Sequence, residues 1–96
     1  MNEVVARLKE AEPALRQFGV AALYLFGSHA RDEARPDSDV DVFIDKDKSR
    51  KFGFDEFMDV YLLLQNRLGG KVDYGTHEGL HPVLRPEIER EALRVF

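Results

Sequence analysis

Cysteine is absent from the chain, which excludes both a disulfide framework and a thiolate metal site. No apolar run approaches the roughly 20 residues needed to cross a bilayer, so no membrane contact is expected. The opening stretch "MNEVVARLKE" has neither the basic start nor the apolar core of a signal peptide, and a cytoplasmic protein is the expectation. A surplus of positive charge is missing as well. Fourteen Lys and Arg stand against 18 Asp and Glu, a net charge of −4, which argues against direct nucleic-acid binding by bulk electrostatics. Basic residues cluster only in "KDKSRK" at 46–51, which reads as a solvated loop. There is no internal repeat, low-complexity tract or linker. Residues 1–96 therefore form a single domain with one core and one cleft.

The apolar residues that are present set the architecture. Val4 or Val5, Leu8, Ala11, Leu15 and Phe18 recur at helical spacing, with a kink or restart at Pro13 and a stop at Gly19. "VAALYLFG" at 20–27 has the length and continuous apolarity of a strand buried on both faces. "SHARDEA" suits a short helix opening at Ser28, and "RPDS" at 35–38 is turn chemistry. Residues 39–45 alternate with a period of two. Residues 52–69 make the clearest helix, striped by Phe57, Val60, Tyr61, Leu64 and Leu68 and ended by Gly69-Gly70. "KVDYG" reads as a third strand, and "PEIEREALRVF" as a closing helix with Pro86 near its first turn. Interleaved strands and helices predict an α/β (α+β) fold, a small mixed sheet of about three strands flanked by helices. The direction of the first two strands relative to each other is left open.

The second strand carries a puzzle. Asp39 and Asp41 project to one face, about 6.5–7 Å apart along the backbone, while Val40, Val42 and Ile44 face the core. Two buried carboxylates that close repel, unless a cation resolves the conflict. Mg²⁺ does so with hard oxygen ligands from one or two carboxylates, substrate phosphates and water. An exposed acidic edge paired with arginines is the competing account. Gly27-Ser28 favours the metal, because glycine lets a ligand approach the backbone and the start of a following helix presents free amides to phosphate. Asp73, in the third strand, is the candidate third acid. His29, His77 and His81 lack metal-ligand spacing and read as turn or surface residues. Phe52, Phe54 and Phe57 read as core.

"GSHAR" followed by "SDVDVFI" resembles the signature of the nucleotidyltransferase family, Gly-Ser, a spacer, then Asp-x-Asp in a strand. Compact length and the Ala30-Arg31 continuation look most like the minimal nucleotidyltransferase group, and the resemblance covers nearly the whole chain. Two departures are Asp32, where related sequences often have Gly, and the polar "DYGT" after Val72. The resemblance implies that Gly27 and Ser28 bind nucleotide phosphates, with Arg31 a further candidate. It implies that Asp39, Asp41 and Asp73 are catalytic and bind Mg²⁺, with ATP as co-substrate. Stand-alone members resemble antitoxins paired with HEPN-domain toxins, some of which adenylylate a tyrosine of the toxin. The implied activity is thus AMP transfer from ATP to a hydroxyl of a partner HEPN toxin. The alternatives are a non-catalytic antitoxin that neutralises its partner by complex formation, and a piece of a larger transferase acting on an antibiotic or nucleic acid.

Overall fold

A computed structural model describes residues 3–35 and 37–96. The amphipathic start forms two helices, α1 (Glu3–Glu10) and α2 (Glu12–Gln17), with Pro13 in the first turn of the second. There its missing N–H and fixed φ cost nothing. Gly19, at φ +100°, then turns the chain into β1 (Val20–Phe26). Next come β2 (Val40–Lys46), α3 (Phe54–Leu68), β3 (Val72–Thr76), α4 (Arg85–Glu91) and a short β4 (Leu93–Arg94).

α3 begins where Glu56 reaches back to accept the Gly53 N–H at 2.7 Å, with Asp55 and Glu56 favourably placed in the first turn. It ends at Gly69, whose φ of +73° closes a left-handed cap on the Gln65 carbonyl. Phe52 therefore precedes the helix rather than opening it, although it packs on the core. Phe57 is partly buried against Tyr74, with ring centroids 4.6 Å apart. Phe54, by contrast, is 76% exposed and does not belong to the core.

The sheet is mixed, with strand order β3-β2-β1-β4. β1 runs antiparallel to both β2 and β4, while β2 and β3 are parallel, joined by the crossover helix α3. On one face Leu23, Leu25, Val40, Val42 and Ile44 pack against Leu8, Ala11 and Leu15 of the leading helices and Val60 and Leu64 of α3. The other face carries Tyr24 stacked on Phe43, with centroids 4.8 Å apart, and Phe26 tilted against the same ring at 5.7 Å.

Two elements differ from expectation. In place of the expected helix over 28–34 there is only a three-residue 3-10 turn, Gly27–His29, followed by Asp32 at φ +58°. Both Ala30 and Arg31 turn back to the Gly27 carbonyl at 3.1 Å, which tightens the chain before a helix can propagate. The tail does not stay helical to Phe96. It leaves α4 at Ala92 and adds a fourth strand, with Leu93 opposite Leu25 and Val95 bonded to the Leu23 carbonyl at 2.8 Å. Burial drives the change: Val95 is 7% exposed, and the free edge of β1 needs a partner for its backbone. Pro36, in the expected "RPDS" turn, lies outside the described residues. Arg35 and Ser38 do close that turn, through Ser38 N–H to the Arg35 carbonyl at 2.9 Å and Arg35 N–H to the Ser38 hydroxyl at 2.8 Å.

Candidate active site

Register places the acids. Phe26, the last residue of β1, pairs with Asp41, which in turn pairs with Asp73 across the parallel ladder. Three neighbouring strands thus bring the end of β1 and two carboxylates to one end of the sheet. Asp41 is half-buried and Asp73 exposed. Asp39 lies one residue ahead of β2 and is exposed, so β2 itself carries only the second acid of the Asp-x-Asp. Its charge still reaches Asp41.

Asp41 is the electrostatic centre of the group. Burial pushes its carboxyl up to about 6, helped by the negative charges of Asp73 and Asp39 and a hydrogen bond with Asp73, while His29 pulls the other way. A carboxylate in that position favours a proton or a cation.

Gly27 abuts this carboxyl. Its φ of +74° disfavours any L side chain, and a Cβ there would lie 2.1 Å from Asp41 Oδ2. The glycine is therefore required twice over, by backbone and by space. Its missing side chain is what lets the Asp41 carboxyl lie against the Gly27 backbone. Ser28 follows in the 3-10 turn, its carbonyl accepting the Glu33 N–H at 2.9 Å. Because this turn is a single short one, the site has no helix dipole to offer a phosphate.

Arg31 is engaged by two carboxylates, Glu33 at 2.7 Å and Glu91 at 3.0 Å. Glu91 also accepts the Gly27 N–H at 3.2 Å. Nothing in the chain's periodicity singles out Glu91. Its place depends on the fourth strand, which the sequence does not announce.

His77 also exceeds its expected role as a turn or surface residue. Asp45, within β2, contacts His77 Nδ1 at 2.7 Å. Glu89 contacts Nε2 at 2.5 Å, and the imidazole lies 4.8 Å from the Phe43 ring. His77 thereby ties α4 to the sheet beside the acids. His29, in the 3-10 turn, is partly buried, whereas His81 is exposed. An open cleft of about 480 Å³ adjoins Asp73, lined by Phe26, Gly75, Leu80, Leu84 and Ile88.

Among the described residues, no three His, Cys, Asp or Glu side chains form a metal cage by themselves. The donors fit Mg²⁺ in its usual manner nonetheless. They are hard carboxylate oxygens, with Asp41 and Asp73 within hydrogen-bonding reach, and Mg²⁺ characteristically takes its remaining ligands from phosphate and water.

Known proteins resemble this chain in sequence and in fold. The nucleotidyltransferase domain profile matches residues 5–95. Protein adenylyltransferase MntA of Thermococcus cleftensis is 30% identical over 96 residues, covering 99% of this chain and 95% of MntA. A solved structure provisionally named a minimal nucleotidyltransferase superimposes with a TM-score of 0.72 at 32% identity, over 93% of each chain. A toxin–antitoxin structure with AMP-PNP shares the fold, with a TM-score of 0.70 at 16% identity, over 92% of this chain and 72% of that one.

Proposed function

Since the chain belongs to the nucleotidyltransferase family, we propose that it transfers AMP from Mg²⁺-bound ATP to a tyrosine hydroxyl of a partner HEPN-domain toxin, and so acts as an antitoxin. The observation that carries this reading is the contact between Gly27 and Asp41, an open backbone pressed against a carboxyl that burial and neighbouring acids have made receptive to a cation. Packing alone has no use for either feature.

In this reading Gly27 and Ser28 receive the leaving end of the triphosphate, with Arg31 alongside. Asp39, Asp41 and Asp73 would hold Mg²⁺, which supplies charge neutralisation at the α-phosphate and activation of the incoming hydroxyl. The acceptor oxygen forms a bond to the α-phosphorus as the bond from that phosphorus to the α–β bridging oxygen breaks. Pyrophosphate leaves, and the hydroxyl proton passes to a carboxylate, a role assigned in this reading to Asp73 on the strand farthest from Gly27.

A tyrosine on another protein fits the size of the chain, because 96 residues leave little to enclose a small acceptor or to track a polynucleotide. The adenylyltransferase name of the Thermococcus relative and the toxin–antitoxin assembly of a structural neighbour support the same choice. An added AMP brings bulk and negative charge to a site that must bind RNA, by the electrostatic logic of phosphorylation.

The test is to incubate the purified protein with ATP, Mg²⁺ and the product of the adjacent gene, then to weigh the partner by mass spectrometry. One adenylyl group on a tyrosine is expected, and none with Asp41→Asn. A partner neutralised yet never modified would replace transfer with simple complex formation.

A further inference from the structure

We propose that Glu91 is a built-in competitor for the triphosphate, holding the Gly27 amide and the Arg31 guanidinium that an incoming anion can gain only by displacing it. The inference rests on the reading of Gly27 and Arg31 as phosphate-side groups.

The geometry begins with strand pairing. β4 lies antiparallel to β1 with Arg94 opposite Tyr24 and Leu93 opposite Leu25. Ala92, the C-cap of α4, joins that helix directly to β4. Backbone bonds behind it, Val95 N–H to the Leu23 carbonyl at 2.8 Å and Leu23 N–H to the Phe96 carbonyl at 3.1 Å, fasten the tail to β1. Glu91, the last residue of α4, is thus held two residues ahead of a paired strand, and its carboxylate reaches the Gly27 amide.

That side chain divides its two oxygens between two donors. Oε1 accepts the Gly27 N–H at 3.2 Å and Oε2 accepts Arg31 Nη1 at 3.0 Å. A carboxylate bridging an amide and a guanidinium makes the same charge-assisted bonds that a phosphate's paired oxygens make. Tethering gives it the advantage of proximity without any binding entropy. It is also easily moved. Its side chain is 27% exposed, so water reaches it and rotation about its own bonds releases both donors together. Glu33, bound to Nε of Arg31, leaves the guanidinium anchored on one side while the other is exchanged.

Glu87 supplies the control. It lies on the same helix with the same charge, but it pairs with Arg90 at 2.9 Å. The full chain and its variants are titrated calorimetrically with inorganic tripolyphosphate and with ATP, both with Mg²⁺. Glu91→Gln is expected to tighten both about five- to tenfold. Glu91→Asp keeps the charge but is shorter by one methylene and loses its reach to both donors, so it tightens binding as well. Glu87→Gln leaves both affinities within about twofold. Unchanged or weaker binding by both Glu91 variants, as a residue that merely orients Arg31 would give, overturns the proposal. So does an equal gain with Glu87→Gln.

The two readings fail separately. Tighter tripolyphosphate binding in a protein that never modifies a partner preserves this inference and ends the transfer reading. Adenylylation by the wild type with no Glu91 effect does the reverse. Absence of anion binding in every variant removes both.

Discussion

At the scale of single residues, Gly27 and Asp41 define each other. The Gly-Ser pair is legible in the sequence only as a weak signal, since it fits any turn. The contact that gives it meaning, a hypothetical Cβ 2.1 Å from Asp41 Oδ2, depends on β1 and β2 being paired. Gly27→Ala combines a left-handed φ with that overlap, so it should destabilise by roughly 1–2 kcal/mol and weaken Mg-ATP binding at least about tenfold, measured by denaturant unfolding and calorimetry. Asp41 carries the opposite trade. Its folded-state pKa of about 6 lies above the ordinary carboxyl value, so the charged form opposes folding above that pH and the cost fades on acidification. With much of the group exposed, screening holds this to about 1 kcal/mol or less. Asp41→Asn should therefore raise the metal-free Tm at pH 8 by a few degrees while abolishing transfer. A lower Tm would contradict the electrostatic account. Asp32, where related sequences often have Gly, is the only non-glycine at positive φ among the described residues. Asp32→Gly should stabilise by up to about 1 kcal/mol, because glycine adopts that conformation without steric cost.

At the scale of elements, legibility followed the completeness of local signals. α3 carries an acidic first turn, a regular apolar stripe and a terminal glycine, and its limits in the structure lie within two residues of those the pattern sets. The stretch after Gly27 and the tail after Glu91 had no such local arbiter. In the first, Ala and Arg favour helix, but the Gly27 carbonyl takes both following amides and Asp32 reverses the chain. In the second, "EALRVF" is compatible with helix until the exposed edge of β1 claims its backbone. α4 is held through His77, whose bonds also escape any reading of spacing. Burial lowers the imidazole pKa, but the hydrogen bonds with Glu89 and Asp45 outweigh it and the net shift is upward. The stabilisation is then fully present below the unfolded value of about 6.5 and lost as pH rises through the folded one. Amide exchange across 85–91, corrected for intrinsic rates, should accelerate as pH is raised from about 6 to about 8. His77→Gln should flatten that dependence; an unaltered profile would detach α4 from the histidine.

At the scale of the molecule, the sheet order explains why so small a chain can hold a site at all. Antiparallel pairing of β1 with β2 sets Gly27 beside Asp41, and the parallel return of β3 sets Asp73 on the far side. In the proposed transfer, a phosphorus over Asp41 would send its leaving group toward β1 and meet its acceptor from β3, next to the cleft lined by Leu80, Leu84 and Ile88. The three acids were visible in the sequence because carboxylates are conspicuous in or just before apolar strands. Glu91 was not, since a glutamate on a charged helix is indistinguishable from solvated neighbours until topology turns it inward. The most direct measurement compares ATP labelled at the α-phosphorus with ATP labelled at the γ-phosphorus, each incubated with Mg²⁺, this protein and the adjacent gene's product. The account predicts that only the α label becomes bound to the partner, while the γ label is released in pyrophosphate. Partner labelling from the γ position, or α labelling that persists with Asp41→Asn, would contradict it.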